Sequence, residues 1–340
     1  MFQRIQTVLC GICLSILVMG QSVWASDIVL ANTPISALEV QDDTLFPESI
    51  TYNSVNRHFV IGSFRQGAIY DVDEKGGIRK LIDDERLHSV FAVRIDRENN
   101  RLLALTSDLG ASVRSEDDAV KKLAALGIYD LSSGKVLNFV DLSGLLPNSP
   151  HLVNGMALDH EGNAYITDSF ASAIYKVDIN GTPSIFLKDD TFDGDGINLN
   201  GIVYHPDGYL LAVNKRNGVL YRIPQDHPED FTVVESDSDF LGADGLILVD
   251  NDRIIIIANR IPWHNTDTAF AISSSNSWRS ANVSDHYQFG DVYPTTGVLV
   301  DDSIFVIHCR LNTLVAAPKQ EKTSLRQKVI IEQIGTVTHH

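Results

Sequence analysis

Cysteine is scarce in this chain of 340 residues, which contains three. Two of them, Cys10 and Cys13, lie in the first 25 residues, and Cys309 is the only cysteine in the remainder. That remainder has no internal disulfide, so its stability must come from packing and from any bound ion. Cys309 ends the apolar run SIFVIHC. We expect it to be a buried small residue and not a nucleophile, because no neighbouring residue would lower the pKa of its thiol.

Basic residues are also few. The chain has 27 lysines and arginines against 44 acidic residues, which gives a net charge of −17. Nucleic acids and anionic membranes are bound by basic patches, so neither is an expected partner. The sequence contains no nucleophile elbow, no phosphate-binding glycine loop and no zinc motif. We expect the partner to be a small-molecule substrate.

Long hydrophobic runs are absent except near the N-terminus. Arg4 precedes an apolar stretch of about 13 residues, Val8 to Gly20, which is short of the roughly 20 needed to cross a bilayer. The order of positive, apolar and small residues up to Ala25 is typical of a secretory signal peptide. We predict cleavage after Ala25, with an uncleaved anchor as the alternative. The protein is then secreted or periplasmic and has no membrane association after cleavage.

A repeat is present in the rest of the chain. Six times a polar residue and a small residue precede an apolar run of strand type, at intervals of about 40 to 66 residues. The six pairs are Glu48-Ser49, His88-Ser89, Asn154-Gly155, Asn200-Gly201, Asp244-Gly245 and Thr296-Gly297. A repeat of this length in an all-β chain predicts a six-bladed β-propeller with one four-stranded blade per repeat. We assign residues 1–25 to the signal peptide and residues 26–340 to a single propeller domain.

Two segments have the composition of insertions. Residues Ser115 to Leu126 follow a capping-box pattern with acids in the first turn and predict a helix in blade two. Residues Ile261 to Phe289, in blade five, are long and polar. Both follow the second strand of a blade, so we expect them to lie over the face where the six repeats begin. The C-terminal run KVIIEQIG predicts a strand that closes the ring with the N-terminal segment or the first blade.

The six polar residues would converge on the channel, because the innermost strand of every blade lines it. Any single Asn-Gly or Asp-Gly is explained by turn chemistry alone. Four of the six residues, however, present oxygen: Glu48, Asn154, Asn200 and Asp244. Two carboxylates and two amides suit a hard divalent cation, calcium first, with magnesium, manganese or zinc as alternatives.

These motifs resemble those of the senescence marker protein, gluconolactonase and regucalcin family, which is related to diisopropylfluorophosphatase and the paraoxonases. The resemblance covers the chain after residue 25 and implies a six-bladed propeller with a divalent metal in its channel. It also implies that the metal ligands are Glu48 in FPES, Asn154 in VNG, Asn200 in LNG and Asp244 in ADG. The sugar-lactonase branch has an arginine where this chain has Leu152, so gluconolactone itself is not the expected substrate.

The chemistry expected from this arrangement is metal-assisted hydrolysis of a lactone or related ester. Asp244 is a candidate metal ligand and also a candidate base or nucleophile. His88 is a candidate proton shuttle. The ends of the second strands offer candidate pocket walls: Asp168, Asn214, Asn259, His308 and Arg310. Asp168 is equally explained by bonds to neighbouring backbone amides. Two alternatives remain, a non-catalytic binding propeller with a structural metal and a lyase or synthase on the same scaffold.

Overall fold

The computed structural model describes residues 26–339, and the predicted signal peptide lies outside these residues. Antiparallel strands dominate, and they form six separate sheets. The described chain begins with two strands, β1 (Ser26–Leu30) and β2 (Ser36–Val40), and ends with a long strand that pairs with both. Between them the strands follow one another as meanders, each hydrogen-bonded to the next.

The first five sheets contain four strands each. Blade one comprises β3 (Pro47–Asn53), β4 (His58–Ser63), β5 (Ile69–Val72) and β6 (Ile78–Ile82). Blade two comprises β7 (Ser89–Asp96), β8 (Arg101–Ser107), β9 (Ala124–Asp130) and β10 (Val136–Asp141). Blade three comprises β11 (Val153–Leu158), β12 (Ala164–Asp168), β13 (Ala173–Val177) and β14 (Pro183–Lys188). Blade four comprises β15 (Leu199–His205), β16 (Tyr209–Asn214), β17 (Leu220–Pro224) and β18 (Thr232–Val233). Blade five comprises β19 (Ala243–Asp250), β20 (Arg253–Ala258), β21 (Thr268–Ser273) and β22 (Asn282–Gln288).

Blade six joins the two ends of the described chain. It comprises β23 (Pro294–Val300), β24 (Ser303–His308) and β25 (Val329–His339), with β1 and β2 both paired to β25. The predicted ring closure by the C-terminal strand is confirmed. Because β25 pairs with β1 and β2, the two ends of the described chain lie in one sheet, and no strand edge is left open where the ring closes. Within residues 26–339, one short helix, α1 (Leu311–Ala316), and three 3₁₀ turns complete the regular structure, at Ser143–Leu145, Asp190–Phe192 and Pro228–Asp230.

The six first strands form the wall of the channel. Each of them contacts the first strand of the next blade, and β23 contacts β3, so the circle is complete. The six-bladed β-propeller predicted from the repeat is therefore the fold of this chain. Apolar side chains fill the space between neighbouring sheets, as where Phe64 of blade one meets Phe91 of blade two with ring centroids 5.0 Å apart. The described residues contain no helix that is long and apolar enough to cross a membrane.

Blades three and four repeat one another in backbone conformation as well as in sequence. Gly162 and Gly208 occupy the same first-hairpin position and have φ angles of 83° and 82°. A side chain at such an angle is strained, so glycine is favoured at both turns.

Every first strand has a β-bulge at the same level. The pairing with the second strand slips by one residue there, which places an extra residue on the inner strand. The slips occur at Glu48, Phe91, Asn154-Gly155, Asn200-Gly201, Asp244 and Thr295. The alignment made from sequence is therefore correct in blades one, three, four and five. In blades two and six the residues at this level are Phe91 and Thr295, and not His88 and Thr296.

The predicted helix at Ser115 to Leu126 is wrong. Residues 115–123 form turns and irregular backbone, because the Ser115 hydroxyl donates to the Asp108 carboxylate (2.6 Å) and Lys121 has a left-handed φ of 58°. Ala124 then enters β9, whose pairing with β8 overrides the local helical pattern.

The predicted insertion at Ile261 to Phe289 is also wrong, because this segment contains β21 and β22, the two outer strands of blade five. A different segment lies over the channel, residues 309–328 between β24 and β25, which contains α1. It meets the blade-two loop where the Lys322 ammonium donates to the Gly110 carbonyl (3.0 Å). The buried Arg65 guanidinium holds the same segment by donating to the carbonyl oxygens of Leu325 (2.8 Å) and Thr323.

Candidate functional site

The four oxygen-bearing residues singled out in the sequence lie together at the channel. Glu48, Asn154, Asn200 and Asp244 line the same cavity, and each is at most 8% exposed. The bulges explain the arrangement, because each bulge sets a side chain out of the regular alternation of its strand at the same height in the ring. Residues almost 200 positions apart are thereby collected around one axis.

Asp244 is the centre of a hydrogen-bond network. The Asn200 side-chain amide donates to Oδ1 at 2.6 Å, and the Lys215 ammonium donates to Oδ2 at 2.9 Å. The Asn259 amide donates to Oδ2 as well, and also to the carbonyl oxygen of Pro294. Both carboxylate oxygens are thus held by donors from blades four and five.

Lys215 is the residue that the sequence analysis missed. It directly follows β16, and the residue is 4% exposed. Its ammonium donates to the side-chain oxygen of Asn259 as well as to Asp244 and lies 5.5 Å from the centroid of the Tyr293 ring. A buried lysine requires such partners, because an unpaired ammonium in a protein interior is strongly unfavourable. The sequence pattern indicated only its neighbour Asn214, the last residue of the second strand of blade four.

The charges in the channel perturb one another. Burial, followed by the nearby Asp244 carboxylate, raises the pKa of Glu48 well above its ordinary value, although Lys215 and Arg94 oppose this. Burial is the largest single influence and disfavours the charged form of Lys215, but the charge and hydrogen bond of Asp244, together with Tyr293 and Glu48, outweigh it and raise the pKa of that ammonium. Burial raises the pKa of the Tyr293 hydroxyl. Lys215 therefore carries its charge throughout the neutral range.

A divalent cation does not fit this donor set while Lys215 is charged. When both are ionised, Glu48 and Asp244 supply two negative charges, and Lys215 and Arg94 already balance them with two positive charges. The Asp244 oxygens are committed to N–H donors, and the Asn200 amide turns its nitrogen toward Asp244. Within residues 26–339 no group of three or more His, Cys, Asp or Glu side chains is placed to hold a metal.

An apolar cavity opens above the charged network, with a volume of about 200 Å³. Its floor is the network itself. Its apolar wall is built from blades one and two, from the connections that lead into blades four and six, and from the segment that contains α1. The wall residues are Phe64, Phe91, Leu109, Ile197, Tyr293, Leu311, Val315 and Ala316. A concave, mostly apolar site with a few convergent polar groups is typical of small-molecule binding.

His88 lies outside this cavity. Its Nδ1 is 2.8 Å from the Asp108 carboxylate, and its side chain lines a separate surface hollow with Arg114 and acidic residues. The bulge in β7 explains the displacement, because it places Phe91 at the level of the channel oxygens. The structure therefore does not bring the candidate proton shuttle together with Asp244.

Of the five candidate wall residues, only Asn259 touches the network. Asp168 accepts from His151 (2.7 Å) and from the backbone amides of three residues, as expected of a carboxylate that fixes the chain. Asn214 binds backbone groups of its own turn and of Phe192. The buried His308 pairs with Glu332 (2.9 Å), and Arg310 pairs with Asp291 (2.6 Å) on the exposed rim. These four residues do not line the cavity.

Cys309 is buried, and its thiol donates to the Pro47 carbonyl at 3.4 Å. Burial raises the pKa of this thiol, so the reactive thiolate is disfavoured. The interpretation of Cys309 as a small packed residue agrees with this environment.

No protein-family model matches the chain, and no curated protein is significantly similar to it. Solved structures do match. A calcium-binding protein, regucalcin, from Agrobacterium tumefaciens superposes with a TM-score of 0.59 at 14% identity, over 93% of this chain and 96% of that one. A luciferin-regenerating enzyme matches with a TM-score of 0.59 at 11% identity, over 91% and 98% of the two chains. Virginiamycin B lyase from Staphylococcus aureus matches with a TM-score of 0.55 at 14% identity, over 92% and 100%.

Identities this low establish the architecture and not the chemistry. The family resemblance found in the sequence motifs is supported by these matches at the level of the fold: the six-bladed propeller of this chain superposes on the structures of regucalcin and virginiamycin B lyase.

Proposed function

We propose that this protein is a hydrolase that acts on a lactone or related ester with an apolar body, bound in the cavity at the channel mouth. The observation that carries the proposal is the composition of that cavity. Its walls are apolar, whereas its floor concentrates a buried ammonium and two buried carboxyl groups. Such a site suits a ligand with an apolar chain and one polar reacting group.

Lys215 supplies the positive charge for the reaction in this proposal. An ammonium has three N–H donors, of which two are used by Asp244 and Asn259. The third is left for the carbonyl oxygen of the substrate, where negative charge develops during attack by water. A preorganised donor in a dry site stabilises such a charge strongly.

Glu48 is the proposed base. Its raised pKa makes its carboxylate a better proton acceptor than an ordinary glutamate. It takes a proton from water as the oxygen of that water bonds to the carbonyl carbon. The bond to the leaving oxygen then breaks, and that oxygen receives the proton. We assign this role to Glu48 in preference to Asp244, the candidate base from the sequence, because both oxygens of Asp244 accept hydrogen bonds already.

The calcium dependence predicted from the sequence stays the alternative version of this proposal. A divalent cation held by Glu48, Asn154, Asn200 and Asp244 would supply Lewis-acid chemistry at the same place. The residues satisfy that version only if Lys215 leaves Asp244. Export to the periplasm or medium is likewise proposed from the sequence, and N-terminal sequencing of the purified protein tests cleavage after Ala25.

A panel of lactones and aryl esters with alkyl chains of increasing length tests the function. We expect hydrolysis by the purified protein, with a preference for apolar substrates over gluconolactone. The Lys215→Met and Glu48→Gln variants should each reduce kcat/KM by about 10²–10³-fold. The matched controls are Lys135→Met and Glu98→Gln, which change exposed residues far from the cavity.

If the protein hydrolyses no member of the panel, the proposed hydrolase activity is wrong. Product mass separates the other outcomes. A product without an oxygen from labelled water indicates a lyase, and saturable binding without any product indicates a binding protein.

A further inference from the structure

We infer that Lys215 is a built-in cation that takes the place of a divalent metal in the channel, so that the folded protein needs no metal and excludes one until this lysine is removed. The inference concerns what occupies the channel. It goes beyond the proposed hydrolysis and holds whether or not a substrate is turned over.

The surroundings of the Lys215 ammonium are those that a bound cation would have. It contacts one carboxylate oxygen, at 2.9 Å in Asp244, and one amide oxygen in Asn259. The face of the Tyr293 ring lies 5.5 Å away and offers its negative quadrupole. These groups come from blade five and from the chain segment that leads into blade six, so the lysine of blade four joins groups of the neighbouring blade.

The balance of buried charges in the channel also disfavours a divalent cation there. Arg94 lines the channel as well, and together with Lys215 it offsets the charges that Glu48 and Asp244 carry when both are ionised. A divalent cation added to this set would leave two positive charges in excess among buried groups, which is unfavourable because a protein interior screens charge weakly. If Lys215 is replaced by an uncharged residue, the same groups hold one negative charge in excess and a cation is favoured.

The hydrogen bonds that Asp244 accepts leave neither of its carboxylate oxygens available to a metal. A hard cation binds carboxylate and amide oxygens together. Here the Asn200 amide donates its N–H to Asp244 Oδ1 at 2.6 Å, and Oδ2 accepts from Lys215 and Asn259. No oxygen of Asp244 is left without a donor.

Lys215 is also fixed at its backbone. Its N–H donates to the Asn198 carbonyl (2.8 Å), and its own carbonyl accepts from the Gly242 N–H (2.9 Å). Gly242 itself has a φ of 81° and approaches the Asn259 backbone so closely that a Cβ would lie 2.0 Å from the Asn259 carbonyl oxygen. The strand ends that carry Lys215 and Asn259 are thus tied together, which holds the ammonium against Asp244.

Calcium binding, measured apart from any turnover, tests the inference. The purified protein and its Lys215→Met variant are stripped with EDTA, dialysed, and titrated with CaCl₂ by calorimetry and with Tb³⁺ by luminescence. Thermal unfolding is followed with 1 mM CaCl₂ and with EDTA. Lys215→Gln is made in parallel in case the methionine variant does not fold, and Lys135→Met controls for the loss of a surface lysine.

We expect the unsubstituted protein to bind no calcium in the channel and to have the same Tm in calcium and in EDTA. Lys215→Met or Lys215→Gln should gain one site and a Tm that rises with calcium. The gained site should disappear when Asp244→Asn is added. Stoichiometric calcium binding by the unsubstituted protein, or a drop of its Tm in EDTA, overturns the inference. So does the absence of a gained site in both folded Lys215 variants. None of these results depends on hydrolysis, so the proposed function can fail separately.

Discussion

Oδ2 of Asp168 lies 2.7 Å from Nδ1 of His151, while the other ring nitrogen of this histidine lies 3.1 Å from the carbonyl oxygen of Leu146. Both neighbours accept hydrogen bonds, so this buried position favours the imidazolium form, which has a proton on each ring nitrogen. Burial disfavours that charge, but the bond and the charge of Asp168 outweigh it and raise the pKa of His151 above its ordinary value.

The stability of the fold should therefore depend on pH through His151. Its folded pKa is raised, so its stabilising contribution is complete below the unfolded value of about 6.5 and is lost as the pH rises through the folded value. We expect the Tm difference between the unsubstituted protein and His151→Gln to be largest below pH 6 and to narrow in the alkaline range. His227→Gln, at an exposed site, should show no such trend. A Tm difference that is constant from pH 5 to pH 9 would contradict the assignment.

Loss of the Asp244 carboxylate should destabilise the protein more than most single substitutions. Asp244→Asn leaves the Lys215 ammonium buried without its counter-ion, which typically costs about 3–5 kcal/mol. Urea unfolding measures the change. The double variant Lys215→Met/Asp244→Asn should recover part of the loss, because it removes the unpaired charge as well. If the double variant is less stable than Asp244→Asn by the full effect of Lys215→Met, the two residues do not interact.

Substitution of Ala316 in α1 should change substrate size preference. This residue lines the apolar wall, so Ala316→Trp fills part of a cavity of about 200 Å³. We expect kcat/KM to fall roughly tenfold or more for long-chain lactones and much less for short ones. Val136→Trp places the same side chain at an exposed position of β10 and serves as the control. An equal loss for short and long substrates would show that the cavity does not hold the alkyl chain.

Cys309 should be inert to thiol reagents in the folded protein. Its thiol is buried, and its raised pKa keeps it protonated at neutral pH. Peptide mapping after treatment with iodoacetamide should find Cys309 unmodified under native conditions and fully modified in urea. Rapid native labelling would show that the channel end opens more readily than its packing indicates.

Much of the fold was predictable because it follows from a local sequence pattern that repeats along the chain. Each blade carries its own turns and alternating strands, so six copies were enough to indicate a ring. The bulge in blade two was not predictable, since its residue is Phe91 and gives no polar signal at that level. The prediction of a helix in blade two was wrong for a related reason. Its capping pattern is satisfied locally, but strand pairing of residues 124–130 is cooperative over the whole sheet.

The candidate site shows the same division. Glu48, Asn154, Asn200 and Asp244 were found because each opens a first strand of the repeat. Lys215 was missed because second-strand ends vary from blade to blade, and in sequence its neighbours read as an ordinary turn. Nothing local indicates that its side chain turns inward to reach Asp244, 29 residues further along the chain.

By itself the sequence determined the propeller, the closure of the ring by the last strand and the gathering of four oxygen-bearing residues at its channel, because strand periodicity and turn residues act over short distances. Only the tertiary structure decided which charge those oxygens face. The partner of a buried carboxylate is selected by what reaches it in three dimensions, and in this chain an ammonium from a neighbouring blade does so.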